Sequence, residues 1–264
     1  MTFDSTIVVT GAAGGIGSAV CRLLAARGAR VAALDMADRD GRALAEPVAE
    51  AIRAEGGQAV AAAADLRRPA DLAAATAAVA DRLGPIGGVF ANAGLLRPGT
   101  NEDLASEDWQ KSLDVNVTGT WNTVRAALPH FRPEGGAIVL TSSIAGATGM
   151  SGYAGYVVSK HAVVGMMRSL AHELGPRSIR VNTVHPTSVN TPMVNNPDHA
   201  ERRTGKRGPE GIAALREFYR NRHLLPVAWL EPEDVAHAVA WLLSAEARYI
   251  TGVALPVDAG LLAK

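Results

Sequence analysis

Three side chains near the middle of the chain could together move a proton to or from an oxygen atom. Tyr156 and Lys160 are four residues apart, and on a helix this spacing places both side chains on one face. An ammonium group beside a phenol favours the phenolate, so we expect Lys160 to lower the pKa of Tyr156. Ser143 follows an apolar run that is typical of a strand, although its neighbour Ser142 could face the site instead. These residues are candidates for acid/base catalysis.

The elements that must position these residues are short apolar runs that alternate with longer helical stretches. The runs rarely alternate with polar residues, which is typical of strands buried on both faces of a parallel sheet. We therefore predict an α/β fold, a Rossmann-type doubly wound parallel seven-stranded sheet with helices on both faces. The predicted strands are 7–10, 30–34, 59–63, 88–91, 137–140, 180–184 and 253–257, and the predicted helices are 16–27, 39–55, 69–83, 106–128, 153–174 and 232–244.

Length and charge limit the class of protein. The 264 residues, 48% of them hydrophobic, suit a single domain over 1–264. Lysine plus arginine equals aspartate plus glutamate at 26 each, so charge gives no reason to expect a nucleic-acid or membrane partner. The N-terminus does not resemble a signal peptide, and Cys21 is the only cysteine. We expect a cytoplasmic protein with no metal site.

The stretch at about 191–222 departs from the strand–helix rhythm. It is rich in proline, asparagine and charge, and only 211–220 has helical character. It follows the carboxyl end of a strand, where α/β sheets bind ligands. We predict a substrate lid whose charged residues, Arg203 among them, face solvent; a plain surface loop is the alternative.

A glycine-rich turn joins the first strand to the first helix and predicts a dinucleotide site. Glycines permit a tight turn and a close approach of the backbone to phosphate, which the helix N-terminus attracts. The candidate contacts are Gly11, Gly15, Ile16 and Gly17. Asp35 ends the second strand, where a carboxylate accepts hydrogen bonds from ribose hydroxyls and repels a 2′-phosphate. The sequence therefore predicts NAD rather than NADP.

Further candidate cofactor contacts follow the third and fourth strands. Asp65, with Leu66 next to it, could meet the adenine edge or cap the helix that begins near Pro69. Asn92, Ala93 and Gly94 are small enough to let the backbone pass close to a cofactor, but as a turn signal alone they are weak.

Taken in order, these motifs resemble the short-chain dehydrogenase/reductase family over nearly the whole chain. The residues that carry the resemblance are TGAAGGIG at 10–17, Asp65, NAG at 92–94, Asn116 in DVNVTG, Ser143 and YVVSK at 156–160. It implies that Tyr156 is the general acid/base, that Ser143 orients the substrate oxygen and that Lys160 holds the nicotinamide ribose. It also implies that Asn116 holds a water linked to Lys160 and that the chain forms a homotetramer.

The run after the sixth strand departs from the usual family pattern. Thr187 stands where a glycine is usual, while Pro186, Val189 and Thr191 keep their places. The resemblance implies that the Val189 backbone and the Thr191 hydroxyl hold the nicotinamide carboxamide. His185 is another candidate for the catalytic base. Because the Tyr156–Lys160 pair is complete, we expect His185 to be only a residue at the end of a strand, near the cofactor.

The same run resembles the branch of that family that includes carveol dehydrogenases and mycofactocin-associated oxidoreductases. This branch implies NAD and a secondary alcohol or ketone, often cyclic or terpenoid-like. Mycofactocin-associated members tend to carry an insertion after the second strand. No obvious insertion follows Asp35, so we expect exchangeable NAD.

The candidate substrate walls are uncharged and favour an apolar alcohol or ketone over a hydroxy acid. They are Ala145, Met150, Tyr153, Leu95, Met193 and Phe218, with Ser143 and Tyr156 at the reacting end. Arg97 is the nearest candidate for a carboxylate anchor. Two other functions remain open: an NADPH-dependent 3-ketoacyl reductase would need a basic residue near Ala13 or Met36, and a non-catalytic dinucleotide sensor would not need Tyr156 or Lys160.

Overall fold

A single parallel sheet of seven strands forms the centre of the molecule, as the computed structural model of residues 1–264 shows. The strands are β1 (Thr6–Thr10), β2 (Arg30–Asp35), β3 (Gln58–Ala63), β4 (Ile86–Ala91), β5 (Gly136–Thr141), β6 (Ile179–Pro186) and β7 (Ala254–Val257). Their order across the sheet is β3-β2-β1-β4-β5-β6-β7. This confirms the predicted Rossmann-type fold.

Helices cover both faces of this sheet. They are α1 (Gly15–Ala26), α2 (Glu46–Ala54), α3 (Pro69–Leu83), α4 (Ser106–Leu113), α5 (Thr120–Ala127), α6 (Ala154–Leu174), α7 (Pro197–Thr204), α8 (Gly208–Arg220) and α9 (Pro232–Leu243). Side chains alternate along each strand, so Ile7 and Val9 pack with α1, α2 and α9, whereas Val8 packs with α3, α5 and α6. No helix is both long enough and apolar enough to cross a bilayer.

The strand order reverses between β1 and β4, which pair side by side. In open α/β sheets, ligands bind at such a switch point, outside the carboxyl ends of the strands. The glycine-rich turn follows β1, the Asn92–Gly94 run follows β4, and Ser143 follows β5. The topology therefore brings together motifs that are far apart in the sequence.

Two predicted helices differ from the observed ones. The stretch 39–55 is helical only from Glu46, because residues 36–45 form a turn in which the Leu44 amide donates to the Met36 carbonyl. Proline at the first turn of α2 fits a helix start there. The stretch 106–128 is divided by a π-helical segment, Asp114–Gly119, between α4 and α5.

The predicted lid is a helical pair, α7 and α8, rather than a loop with one short helix. Asn196 caps α7 by accepting a hydrogen bond from the His199 amide at 2.8 Å. Ala200, Leu215 and Tyr219 of the lid form a small apolar core with Ala228 and Trp229, which follow the lid. This core gives the lid a defined shape over the carboxyl ends of the strands.

Candidate active site

Two cavities meet at the centre of the candidate site. The larger one, about 740 Å³, lies along the carboxyl ends of the strands. The smaller one, about 240 Å³, lies beneath the lid. Ser143 and Tyr156 line both cavities, together with Thr187, Met193 and Val194. A molecule in the smaller cavity would therefore meet one in the larger cavity at Ser143 and Tyr156.

Nearly all the predicted cofactor residues line the larger cavity. They are Gly11, Gly15, Ile16, Asp35, Asp65, Leu66, Asn92, Ala93, Gly94, Tyr156, Lys160, Pro186, Val189 and Thr191. Gly17 does not line it, because this residue packs on the turn itself: a Cβ there would collide with the Gly11 carbonyl oxygen. Gly17 therefore closes the turn and leaves the cavity to its neighbours.

Two glycines of the turn allow the backbone to come close to other segments. Gly11 has a φ of +67°, and a Cβ there would lie 2.8 Å from the Cα of Ala93. A Cβ on Gly15 would lie 2.6 Å from the methyl group of Thr191. The missing side chains thus bring the turn after β1 against the turns after β4 and β6, which is how one cavity forms from three loops.

Asp35 lies at the edge of the larger cavity and is held by backbone amides. Its Oδ2 accepts a hydrogen bond from the Ala13 amide at 2.8 Å, and its Oδ1 accepts one from the Met36 amide at 2.8 Å. A carboxylate fixed in this way can accept hydrogen bonds from a ribose diol. The glycine turn and Asp35 together fit the phosphate and ribose parts of NAD.

Asp65 lines the cavity but does not cap a helix, so the capping alternative is wrong. No side chain caps α3. Instead, Arg67 donates hydrogen bonds to Asp65 from Nε at 3.0 Å and from Nη2 at 2.7 Å, and this contact lowers the pKa of the Asp65 carboxyl. Arg67 also lines the cavity, although nothing in its position in the sequence marks it as a cavity residue.

The structure places Ser143, rather than Ser142, at the junction of the cavities. The Ser142 hydroxyl points to α6 and donates to the Lys160 carbonyl oxygen at 3.0 Å. The Ser143 hydroxyl accepts a hydrogen bond from the Ala145 amide at 3.2 Å. His185 fixes the Ser143 backbone, since its Nδ1 lies 2.8 Å from the Ser143 carbonyl oxygen. His185 lines neither cavity, which agrees with the expected strand-end residue.

Tyr156 and Lys160 share one face of α6, as expected, but the predicted effect on the tyrosine pKa is wrong in this structure. Burial raises the pKa of Tyr156, and a hydrogen bond with Ser143 opposes this rise. The Lys160 ammonium lies 5.5 Å from the centre of the Tyr156 ring and donates to the Thr141 carbonyl oxygen at 2.8 Å. Burial also lowers the pKa of Lys160 to about 8, so desolvation sets the direction of both pKa shifts.

Asn116 lies in the π-helical segment, and protein groups surround its buried side chain. Its Oδ1 accepts from the Leu95 amide at 2.9 Å, and its Nδ2 donates to the Leu95 carbonyl and to the Ser159 hydroxyl, each at 3.0 Å. π-helical turns often occur at functional sites. Here the turn ties α6 to the loop after β4; the water implied for Asn116 remains a prediction.

Thr187 joins the loop after β6 to the end of the lid. Its hydroxyl lies 2.9 Å from Nε2 of His223, and Nδ1 of His223 donates to the Val227 carbonyl oxygen at 2.8 Å. With Nδ1 protonated toward Val227, Nε2 accepts from the Thr187 hydroxyl. A glycine at this position could not make that contact.

Only part of the predicted substrate wall lines a cavity. Met150, Met193 and Phe218 line the smaller cavity, and Leu95 lines the larger one. Ala145 and Tyr153 line neither, because both are buried behind the cavity wall. Arg97 faces Asp108 at 3.6 Å.

The expectation that the substrate walls carry no charge is wrong. Arg203 and Arg222 line the smaller cavity. Arg203 lies four residues after the buried His199 on α7, so the helix turns it inward, whereas the sequence analysis placed it on a solvated surface.

Comparisons with known proteins agree with this geometry. A family model described as enoyl-(acyl carrier protein) reductase matches residues 11–262. The (-)-trans-carveol dehydrogenase of Rhodococcus erythropolis is 38% identical over 97% of this chain and 97% of its own. The 2,5-dichloro-2,5-cyclohexadiene-1,4-diol dehydrogenase of Sphingobium indicum is 35% identical over 98% of this chain and 97% of its own.

A solved structure with a similar fold contains a cofactor. The carveol dehydrogenase of Mycobacterium avium in complex with NAD has a TM-score of 0.93 and 34% sequence identity, and the match covers 98% of each chain. The fold, the order of the motifs and these matches agree along nearly the full length. The chain therefore belongs to the short-chain dehydrogenase/reductase family of oxidoreductases.

Proposed function

We propose that this chain interconverts a cyclic secondary alcohol and its ketone with NAD, and that Tyr156 is the general acid/base. The observation that carries the proposal is the position of the Ser143 and Tyr156 hydroxyl side chains, which each line both cavities. The third hydroxyl that lines both cavities, that of Thr187, lies 2.9 Å from Nε2 of His223. A substrate oxygen between Ser143 and Tyr156 would be within reach of a proton acceptor, while its carbon faces the cavity with the dinucleotide features. Dehydrogenases of alcohol groups among the relatives support this reaction.

The residues of the chain divide the work of binding and proton transfer. Bound NAD supplies the hydride chemistry. Asp35 receives the ribose hydroxyls, and the Val189 backbone and Thr191 hydroxyl hold the carboxamide. Lys160, within the same cavity, holds the nicotinamide ribose.

Ser143 and Tyr156 handle the proton of the substrate hydroxyl group. Ser143 donates to the substrate oxygen and keeps it beside Tyr156. The phenolate form of Tyr156 accepts the hydroxyl proton as the alcohol becomes a ketone. In the reverse direction, Tyr156 returns the proton to the oxygen. Acid/base catalysis by a positioned side chain typically contributes about 10²–10⁴-fold to the rate.

A ring alcohol is the substrate class that the relatives support best. Carveol and the chlorinated cyclohexadienediol in their names are both ring alcohols. The apolar side chains of Met150, Met193 and Phe218 line the smaller cavity and suit the carbon ring. An NADPH-dependent 3-ketoacyl reductase fits less well, because the carboxylate of Asp35 lines the larger cavity, where it would repel a 2′-phosphate, and neither Ala13 nor Met36 is basic.

We also propose a cytoplasmic homotetramer. Trp121 on α5 and Val158 on α6 are 43% and 44% exposed, and apolar side chains on neighbouring helices suit a contact between copies. Light scattering of the purified chain should give four times the 27.4 kDa chain mass, whereas the mass of one chain would contradict the assembly.

The activity is tested with a panel of cyclic and linear secondary alcohols, with NAD and NADP supplied in parallel. Formation of NADH, followed by its absorbance, should occur with ring alcohols and be much slower with NADP. No turnover of any alcohol, or a clear preference for NADP, would contradict the proposal.

A further inference from the structure

The lid carries an arginine whose charge is turned into the smaller cavity. Arg203 lies on α7, and its guanidinium carbon is 4.5 Å from the centre of the Tyr153 ring. Its Nη2 contacts the Met150 sulfur at 2.8 Å. Its Nε is buried and has no hydrogen-bond partner.

The Tyr219 hydroxyl also lies near Arg203, yet Nε of the guanidinium has no acceptor. Arginine offers five N–H donors, a thioether sulfur is a weak acceptor, and an aromatic face offsets only part of the lost hydration. No acidic side chain lines the cavity, and neither Arg203 nor Arg222 forms an ion pair in the structure. A buried donor without an acceptor is costly, and an oxygen atom of a bound molecule would remove that cost.

A chain of hydrogen bonds fixes the helix that carries Arg203. His199, four residues earlier on α7, has Nδ1 at 3.2 Å from the Tyr153 hydroxyl and Nε2 at 2.7 Å from the Tyr219 hydroxyl. Burial, with Arg203 and Arg202 nearby, lowers the pKa of His199 to about 4, so its imidazole is neutral at pH 7. Three segments, the start of α6, α7 and α8, are thus joined.

This arrangement holds Arg203 at a set position relative to the reacting end of the cavity. Tyr153, under the guanidinium, immediately precedes α6, and Tyr156 lies within the first turn of that helix. Ser143, Tyr156 and Arg203 all line the smaller cavity. A molecule in this cavity could therefore contact both the reacting hydroxyls and the guanidinium.

We propose that the substrate carries a carboxylate on the far side of its ring from the reacting carbon, and that Arg203 binds this carboxylate. The proposal rests on the proposed function and names the substrate class: hydroxy- or oxocycloalkane carboxylates. Arginine recognises carboxylates with two parallel N–H bonds, which gives orientation as well as affinity. The cavity of about 240 Å³ suits a single ring with one such group. Such a substrate carries a negative charge, whereas the sequence alone favours an apolar alcohol or ketone.

The wild-type chain can be tested with three matched alcohols and NAD. They are trans-4-hydroxycyclohexanecarboxylate, its methyl ester and cyclohexanol. The carboxylate should have the lowest KM, by about 10-fold or more, because a charged hydrogen bond is lost in the other two. An ester or cyclohexanol KM equal to or below that of the carboxylate would overturn the proposal.

Variants locate the effect at Arg203. Arg203→Gln should raise the KM for the carboxylate by roughly 10- to 100-fold and change the KM for cyclohexanol by less than about 3-fold. Arg203→Lys should retain part of the affinity. It keeps the positive charge but lacks the planar guanidinium that donates two parallel hydrogen bonds. Arg202→Gln is the matched control, because Arg202 is exposed on the same helix, and it should behave as the wild type. Equal effects of Arg203→Gln on both substrates would contradict the assignment.

A binding measurement separates this proposal from the proposed function. Cyclohexanecarboxylate has no hydroxyl to oxidise, and calorimetry in the presence of NADH should detect its binding to the wild type and a loss of at least about 10-fold in Arg203→Gln. If the wild type binds cyclohexanecarboxylate and Arg203→Gln loses that binding while no alcohol is turned over, the proposed function is refuted and the anion site is kept. Turnover of neutral ring alcohols with no binding of cyclohexanecarboxylate would keep the function and refute the anion site. The wild-type measurements remain decisive even where Arg203→Gln does not fold.

Discussion

Lys160 donates a hydrogen bond to the Thr141 carbonyl oxygen at 2.8 Å, and this is the only hydrogen bond of its ammonium group within the chain. The residue is 3% exposed and forms no ion pair. Burial of a charge with one neutral acceptor is unfavourable, and it lowers the pKa of Lys160 from 10.5 to about 8. The position therefore costs stability whenever the lysine is charged.

This cost predicts a stability that rises with pH. Between pH 8 and pH 10.5 the unfolded chain holds a proton on Lys160 that the folded chain has released, so the free energy of unfolding increases over that range. Lys160→Met removes this contribution, which amounts to at most about 3 kcal/mol. Urea unfolding of both proteins at several pH values should show that the free energy of unfolding of the wild type increases relative to that of the variant as pH rises. A constant difference would contradict the burial of a charged lysine.

Asp35 should set the choice between NAD and NADP. Asp35→Ala removes the carboxylate that accepts from the Ala13 amide and repels a 2′-phosphate, so the ratio of kcat/KM for NAD to that for NADP should fall by about 10-fold or more. Asp40→Asn is a suitable control, since Asp40 is exposed and outside the cavity. Similar ratios in Asp35→Ala and the wild type would argue against this role.

Gly15 and Thr191 should be energetically coupled. A methyl group on Gly15 would lie 2.6 Å from the Thr191 methyl, so Gly15→Ala should lower the free energy of unfolding by about 1–3 kcal/mol and weaken NAD binding. Thr191→Ser keeps the hydroxyl and removes the methyl, so it should rescue much of the loss in the double variant. Calorimetric titration and thermal unfolding of the four proteins measure this, and strictly additive effects would refute the contact.

Thr187 should stabilise the lid through His223. Thr187→Val keeps the shape of the side chain but leaves Nε2 of His223 without its partner at 2.9 Å, which should cost about 1–3 kcal/mol of unfolding free energy. Thr187→Ser retains the hydroxyl and should recover most of the stability. Urea unfolding that shows Thr187→Val as stable as the wild type would rule out the hydrogen bond.

The strands and the cofactor motifs could be predicted from the sequence because their signals are local. Buried strands are continuous apolar runs, and the start of α3 at Pro69 is marked by its proline. The start of α7 also had a local signal, Asn196 followed by Pro197, but the surrounding charge suggested a loop. The π-helical segment at Asp114–Gly119 has no sequence signal of this kind.

Side-chain direction in the site could not be predicted, because it depends on tertiary packing. Tyr153 had the right position in the chain for a cavity wall, yet it is covered by Arg203. Arg203 belongs to a charged stretch that favours solvent exposure, and only the packing of α7 through His199 turns it inward. Burial similarly outweighs the predicted effect of Lys160 on the pKa of Tyr156.

The proton-transfer role of Tyr156 is tested most directly with Tyr156→Phe, which removes the hydroxyl and keeps the ring. Tyr249→Phe is the matched control, since Tyr249 is 87% exposed. We predict that Tyr156→Phe binds NAD as the wild type does and oxidises a ring alcohol about 10²–10⁴-fold more slowly, while Tyr249→Phe is unchanged. Turnover by Tyr156→Phe at the wild-type rate would contradict the mechanism.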